Sequence, residues 1–566
     1  MCSLRPLTLV LSIAAALTAA CSAFAQAPES GNNWWRHAVI YEVYPRSFAD
    51  SNGDGIGDLR GIAQHLDYLK DLGVDAIWLT PFYPSPQVDF GYDISNYRAI
   101  DPQFGTMADF DYLMSQAKKR HIRIINDLVL NHTSDQHPWF IQSESSRTNP
   151  KANWYVWANG KPNGQPPNNW VSIFGGSAWS YVSARRQYYY HEFYRQQPDL
   201  NWRDMDVRHA MYNIARFWMN KGVSGFRLDA ITSLFEDAAL RNEPYLPGKD
   251  AYGDRNVSRV YTDNLPQVHE VLRELRKVTD EYPGSILIGE TYLSSAVELE
   301  KMYGPSSNEL QLPMDTQYGF TNKLSASAFR RKLTAAETKL QGHVPLFVFA
   351  NHDNHRSLDR YAAGKRNIAV AKLLAALLLT PCDAALIAYG EELGMMDYGP
   401  LRKADVRDPI GIRGWPKEKG RDGERTPMQW NTSKNAGFST AAKTWLPLNP
   451  DYNTVNAAAE ERNPNSIFTY YKTLIRLRKR NPQLRDGKFV LLDPNNRDVL
   501  SYLRKTPDGK AVLVTLNFTD SPRSVAFDLS AHHAKTLLAS FATPNRPLNL
   551  DHIELPPYGA YIGEIQ

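Results

Sequence analysis

Short, wholly apolar runs alternate along the chain with amphipathic stretches, and the two kinds of run predict different elements. Val39 to Tyr44, Ala76 to Thr80, Ile122 to Leu130, Gly225 to Leu228, Ile286 to Gly289, Leu346 to Ala350 and Ala384 to Ala388 have strand length and little polar character. Ile62 to Leu72, Thr106 to Arg120, Val207 to Lys221 and Pro266 to Thr279 carry apolar residues at helical spacing. Strands apolar on both faces are buried on both faces, as in a parallel sheet covered by helices. Up to eight strand-and-helix units fit along the chain, which favours an α/β fold of the (β/α)8 TIM barrel type over an open doubly wound sheet. No Gly-rich phosphate loop follows the first strand, and this argues against a nucleotide-binding fold.

Where the alternation stops, other units are expected. Residues 131–200 are polar, rich in Trp, Tyr, Asn, Gly and Pro, and show no helical period. They are too long for a plain loop and read as a small domain inserted after strand 3. A second long insertion runs from Glu392 to Asn463, after the last strand. Beyond Arg485 short alternating runs (Phe489 to Leu492, Val499 to Leu503, Ala511 to Asn517) separated by turn residues predict a C-terminal antiparallel β-sandwich domain over 486–566. The barrel itself is expected over 30–130 and 201–485.

Residues 1–25 combine Arg5, an apolar run from Leu7 to Ala20 and Ala23-Phe24-Ala25. This is the layout of a cleaved secretory signal peptide, too short for a membrane span, and it predicts a periplasmic or secreted protein with no membrane span. Removing it leaves Cys382 alone, so no internal disulfide is expected, and its apolar setting suits packing better than catalysis.

Composition narrows the function without choosing it. Lys plus Arg (64) nearly balances Asp plus Glu (60), so no nucleic-acid partner is expected. The 22 Phe, 13 Trp and 30 Tyr exceed any other tilt in composition and suit stacking on flat ligand faces, although most belong to a core of this size. At 566 residues the chain needs more than one core.

Four apolar runs end in acids: Asn126-Asp127, Arg227-Leu228-Asp229, Gly289-Glu290 and Asn351-His352-Asp353. In a barrel these side chains meet at the C-terminal mouth, and four together exceed what helix capping requires. Carboxylates sharing a cleft with His132, Arg227 and His352 suit either acid–base chemistry on a glycosidic bond or metal-dependent hydrolysis. The first strand ends in Tyr41-Glu42-Val43-Tyr44-Pro45 without paired histidines, so the metal hydrolase is the weaker reading. Retention at a glycosidic bond needs two carboxyl groups about 5–5.5 Å apart, and Asp229 and Glu290 end consecutive parallel strands about 4.7–4.9 Å apart. Asp229 is expected to stay ionised beside Arg227, and Glu290 to hold a proton.

Taken in order, Asp127-Leu-Val-Leu-Asn131-His132, Gly225-Phe-Arg227-Leu-Asp229-Ala230, Gly289-Glu290-Thr291, Asn351-His352-Asp353 and Gln197-Pro-Asp-Leu-Asn201 resemble the motifs of the α-amylase family of glycoside hydrolases, and within it the exo-acting α-glucosidases. The resemblance implies Asp229 as nucleophile, Glu290 as general acid and base, and Asp353 as the acid that grips sugar hydroxyls. It also implies that Tyr92, Asp93, His132, Phe174, Arg227, His352 and Arg425 bind the terminal glucose, and that the partner is a small α-glucoside cleaved with retention. Asn354-His355-Arg356 departs from the Gln-Pro-Arg of related enzymes, which puts aglycone contacts in doubt. Ala230, a small residue after the nucleophile, goes with α-1,4 preference in similar enzymes, because a bulkier side chain would alter the space for the next sugar. Glucosyl transfer and sucrose-active chemistry are the alternative outcomes on such a scaffold, and a catalytically dead sugar-binding or transporter-associated relative is the non-enzyme alternative. The state expected is a monomer or homodimer.

A second signal is independent of catalysis. Asp50, Asn52, Asp54, Ile56 (through its carbonyl) and Asp58 fall at alternate positions, with Gly55 at the turn. Such a loop is expected to hold a structural Ca2+ or Mg2+, against the alternative of an Asx-rich turn. Gly61 stands where a bidentate Glu would complete an EF-hand, and no organic cofactor is expected.

Overall fold

The computed structural model describes residues 33–566 apart from 318, 320, 382 and 383. The expected signal segment, residues 1–25, and Cys382 lie outside the described residues.

Eight parallel strands close into a barrel: β1 (Val39–Val43), β2 (Ala76–Leu79), β3 (Arg123–Val129), β4 (Gly225–Asp229), β5 (Ile286–Gly289), β6 (Leu312–Asp315), β7 (Leu346–Val348) and β8 (Ala384–Ala388). They follow one another around the ring, and β8 returns to β1 with Val39 opposite Ala385. Seven of them match the apolar runs of the sequence. The eighth, β6, was not among them: its four residues, Leu312-Pro313-Met314-Asp315, contain a proline and end in an acid, which hides a strand from a pattern search. Pro313 is accommodated opposite Gly289.

The period-two alternation of each strand sorts its side chains. Ile40, Ala76, Trp78, Ile125, Ile288, Met314, Val348 and Leu386 form one buried cluster, separate from the larger core to which Val39, Tyr41, Ile77, Leu79, Ile124, Leu287 and the helices contribute. Carrying the inner set two residues further reaches Glu42, Asp127 and Glu290. The residues lining the barrel mouth are therefore fixed by the same register that fills its floor. At β4 the wall has little room: Gly225 sits at φ 138° and a Cβ there would overlap the Ile286 carbonyl oxygen.

The segment after β3 is a small subdomain with a three-stranded antiparallel sheet (Trp157–Ala158, Gln187–Tyr190 and Trp179–Val182). It also holds a helix, Pro138–Ser145, that the sequence reading lacked. This helix has too few residues to show a period; Pro138 at its first turn and His137 Nδ1 accepting from Trp139 N (3.1 Å) start it. After β8 the chain runs through short helical turns, including Pro409–Gly414 and Ala457–Arg462, before the long helix Ile467–Arg480. The C-terminal domain is a six-stranded antiparallel sheet (ordered 488–492, 499–505, 511–517, 560–565, 533–539, 548–549) and a ribbon pairing Arg523–Val525 with Ile553–Leu555. Val499, Leu513 and Tyr561 of the sheet share a core with Val525, Ile553 and Leu555 of the ribbon, which makes the two layers a sandwich.

Candidate active site

Arg227 organises the barrel mouth. Its Nη1 donates to both oxygens of Asp127 (3.0 and 2.9 Å) and to Asp229 Oδ1 (2.7 Å), and its Nη2 lies 2.5 Å from Glu290 Oε1. The guanidinium is fully buried, with Trp78 beneath it at 4.8 Å. Three carboxyl groups out of water need such a counter-charge, because a buried charge without a partner is costly. Leu228 pairs with Gly289 across β4 and β5, so Asp229 and Glu290 each follow a directly opposed residue. Glu290 Oε2 accepts from the N–H of Ala230 at 3.0 Å. Ala230 holds a left-handed conformation (φ 43°, ψ 39°), a strained geometry for alanine that aims the amide beside the nucleophile candidate at the acid candidate.

On the other side of the mouth, His352 is held by Glu42, Tyr92 and Tyr44. Its Nδ1 lies 2.5 Å from Glu42 Oε1 and its Nε2 2.8 Å from Tyr92 OH, and its ring runs nearly parallel to those of Tyr44 (5.5 Å, 11°) and Tyr92 (5.4 Å, 7°). Tyr92 OH also donates to Asp127 Oδ2 at 3.1 Å, which joins the two halves of the ring. Asp353 is gripped by Arg425 Nη2 and by Arg421 Nη1 (2.9 Å), with His352 Nε2 at 3.5 Å. Arg425 also donates Nε–H to the carbonyl of His352 (2.7 Å), and Arg421 reaches Asp89 Oδ1 (2.7 Å) and Asp408 (2.9 Å). Phe174, from the inserted subdomain, stacks on Tyr194 (4.3 Å) and covers Arg421 at 5.5 Å. His132 Nε2 sits 3.0 Å from Gln197 Nε2 and 3.2 Å from the Tyr92 carbonyl.

Electrostatics separate these acids. Burial would raise the Asp353 carboxyl, but His352, Arg421 and Arg425 outweigh it and hold the group well below the usual range, so it is a permanent anion. Burial drives Asp229 well above its ordinary value; Arg227 opposes this, while Glu290, Asp127 and Asp353 add to it. Arg227 is thus the group that favours the ionised form of Asp229, against burial and the neighbouring acids. Asp127 is pushed up to about 6, mainly by burial against Arg227. Burial lowers His132 to about 3, so its imidazole is neutral.

One predicted ligand is elsewhere. Both oxygens of Asp93 are taken inside its own loop, by Ser85 Oγ (2.8 Å), Val88 N (2.9 Å) and Asp89 N (2.9 Å), and burial raises it to about 6. The acid that joins the ring is Asp89, four residues earlier, through Arg421 and Gln197 Nε2 (3.1 Å). Sequence reading also left out Glu42, Trp78, Tyr44 and Arg421. Glu42 had a visible signal, an acid inside an otherwise apolar strand two residues beyond Ile40. Arg421 did not stand out from Arg425 in Arg421-Asp-Gly-Glu-Arg425.

The loop from Asp50 to Asp58 is a chain of Asx turns. Asp50 Oδ1 accepts from Asn52 and Gly53 (3.0 and 2.7 Å) and Oδ2 from Gly55 (2.8 Å); Asn52 Oδ1 accepts from Asp54 N (2.9 Å) and Asp54 Oδ1 from Ile56 N (2.8 Å). Asp58 caps the helix Leu59–Gln64 through Gly61 N at 2.7 Å. These bonds order the loop without an ion, and they also present a donor set made only of oxygens, with Asn52 and Asp54 exposed, which fits a hard cation.

A buried pair of carboxyls on adjacent barrel strands, bridged by one arginine and faced by a third, ionised acid, defines the class: a barrel hydrolase equipped for glycosidic bonds. Comparison with known proteins gives the family. The alpha amylase catalytic domain matches residues 42–487, and the maltogenic amylase C-terminal domain matches 489–562. A probable alpha-glucosidase of Rhizobium meliloti (strain 1021) is 39% identical, covering 95% of this chain and 98% of its own. An oligo-1,6-glucosidase of Parageobacillus thermoglucosidasius is 40% identical over 94% and 99%. Among solved structures, the alpha-glucosyl transfer enzyme XgtA superposes with TM-score 0.86 at 36% identity, over 94% of this chain and 99% of that one. The trehalulose synthase MutB from Pseudomonas mesoacidophila MX-45 gives 0.85 and 36% over the same shares. The chain belongs to the α-amylase family and is a glycoside hydrolase.

Proposed function

We propose that the protein is a retaining α-glucosidase that releases glucose from the non-reducing ends of short α-glucosides, with α-1,4 links such as maltose preferred. The observation that carries this is the Arg227 guanidinium joining Asp229 and Glu290 in one buried cleft. Asp229 attacks the anomeric carbon as Glu290 gives its proton to the departing oxygen, forming a covalent glucosyl ester; Glu290 then takes a proton from the water that cleaves the ester. Asp353, held anionic, binds sugar hydroxyls, and its charge stabilises the oxocarbenium-like transition state. Two inversions at one carbon return the α configuration. Ala230 beside the nucleophile supports the α-1,4 preference. The likeness to a glucosyl transfer enzyme and a trehalulose synthase supports a second outcome, capture of the same ester by a sugar or alcohol.

The test is an assay on a chromogenic α-glucoside with proton NMR of the first product. Wild type releases α-glucose first, Asp229→Ala is inactive, and Glu290→Gln is slowed, less on the chromogenic glucoside than on maltose. First-formed β-glucose contradicts retention, and full activity in Asp229→Ala contradicts the assignment. Side-by-side rates on maltose, isomaltose, sucrose and trehalose settle linkage and transfer.

Two further expectations belong to this reading. Asp50, Asn52, Asp54, the Ile56 carbonyl and Asp58 would hold Ca2+ or Mg2+, whose part is to brace the turn between the helices Pro45–Phe48 and Leu59–Gln64. Export follows from residues 1–25; N-terminal sequencing of the protein recovered from the periplasm or medium, starting at Gln26, supports it, and retention of Met1 contradicts it.

A further inference from the structure

Outside the catalytic ring, three chain segments bring together a second set of ligand-type side chains. His355, Asp397 and Glu424 each offer an atom within 4.8 Å of the other two, the one such trio of His, Cys, Asp or Glu among the described residues. His355 Nδ1 is 2.7 Å from Asp397 Oδ2 and 3.8 Å from Glu424 Oε2. The ion pair with Asp397 accounts for the first contact but not for the second. Glu424 is only 4% exposed, and its Oε2, turned to the imidazole beyond hydrogen-bond reach, has no hydrogen-bond partner. Burial and the neighbouring Asp397 push the Glu424 carboxyl up to about 8, and a divalent cation between these groups would relieve both causes.

The surrounding groups orient the trio as supporting contacts orient metal ligands. Arg356 N donates to Asp397 Oδ1 (3.0 Å), which leaves Oδ2 for the cluster, and Arg356 Nη2 donates to the Glu424 carbonyl (2.9 Å). One imidazole nitrogen and two carboxylate oxygens neutralise a divalent charge and suit a borderline ion, with bonds of about 2.0–2.2 Å. Drawing three atoms already this close onto such an ion needs only side-chain adjustment. We propose that His355, Asp397 and Glu424 form a divalent-metal site suited to Zn2+, with water completing the coordination. It is distinct in chemistry from the Asp50–Asp58 loop, whose donors are all oxygens. It also has a position of consequence: His355 lies two residues beyond Asp353, and Glu424 adjoins Arg425, so a bound ion ties together the two segments whose side chains meet at the Asp353 carboxylate.

The test is equilibrium binding of Zn2+ to the full protein with Ca2+ in excess to saturate the oxygen loop. Wild type is expected to bind one Zn2+ that is weakened at least about tenfold in both His355→Ala and Glu424→Gln; equal affinity in all three, or no binding at millimolar Zn2+, overturns the site. Metal-free melting checks that the variants fold. Should either fail to fold, X-ray absorption of the zinc-loaded wild type decides: a shell of nitrogen and oxygen containing a single imidazole supports the site, and an oxygen-only, sulfur-containing or multi-histidine shell overturns it.

Discussion

The floor and the mouth of this barrel follow one alternation and end in opposite chemistry. Ile40, Ile125 and Ile288 fill the floor at 0–1% exposure; Glu42, Asp127 and Glu290, two residues on, line the mouth at 0–6%. Burial is nearly the same in both, so depth does not mark the site. What differs is how the buried groups are satisfied. The floor needs only complementary volume, whereas the mouth needs a counter-charge or a hydrogen-bonding partner for each acid, and Arg227, Arg421, Arg425 and His352 supply them. A change in the floor should therefore appear as lost stability, and a change in the mouth as lost rate.

The sharpest contrast comes from Glu290→Gln, which keeps volume and removes the transferable proton. It should lower kcat on maltose by about 10²–10⁴-fold, or about 3–5.5 kcal/mol of barrier, with an almost unchanged melting temperature. The loss should shrink for a p-nitrophenyl leaving group, which needs little protonation; an equal loss on both substrates would remove Glu290 from the acid role. Arg227→Met breaks the division, because it strands three acids. We expect about 3–5 kcal/mol of destabilisation in denaturant melts together with loss of activity, and a variant as stable as wild type would refute the counter-charge argument. Ile288→Ala should cost about 2–5 kcal/mol of stability while kcat moves far less than in Glu290→Gln. A large kcat loss without destabilisation would blur floor and mouth.

A smaller effect concerns pH. Glu392, buried with Tyr41 OH (2.9 Å) and Tyr68 OH (2.6 Å) both donating to Oε1, is raised by burial from 4.5 to about 7. Between those values the folded chain keeps a proton that the unfolded chain has lost, so this group's contribution to stability falls as pH rises from 4.5 to about 7 and stays reduced above. Glu392→Gln retains the acceptor and should flatten that part of the melting-temperature profile; an unchanged slope contradicts it. Smallest of all, a chelator should lower the melting temperature if the Asp50–Asp58 loop carries an ion, and an identical transition argues against one.

Much of this was legible in the sequence, for reasons that also explain the misses. Seven strands showed because β-strands buried on both faces must be apolar; β6 did not, since Pro313 and Asp315 break its pattern. Asp229, Glu290 and Asp353 were legible because each is a charge ending an apolar run. Asp93 and Asp89 lie in one loop whose path only three-dimensional contacts reveal, so the sequence did not show that Asp89 is the one that bonds to Arg421. His355, Asp397 and Glu424 come from three segments with no shared spacing, and no linear pattern could join them.

The central claim, that Asp229 attacks the sugar, is tested most directly by trapping. A fluorinated α-glucosyl fluoride that forms a slowly hydrolysed ester should inactivate the enzyme, and peptide mass spectrometry should find the added mass on Asp229. Labelling of Glu290 or Asp353 instead, or turnover with no covalent species, would contradict the account.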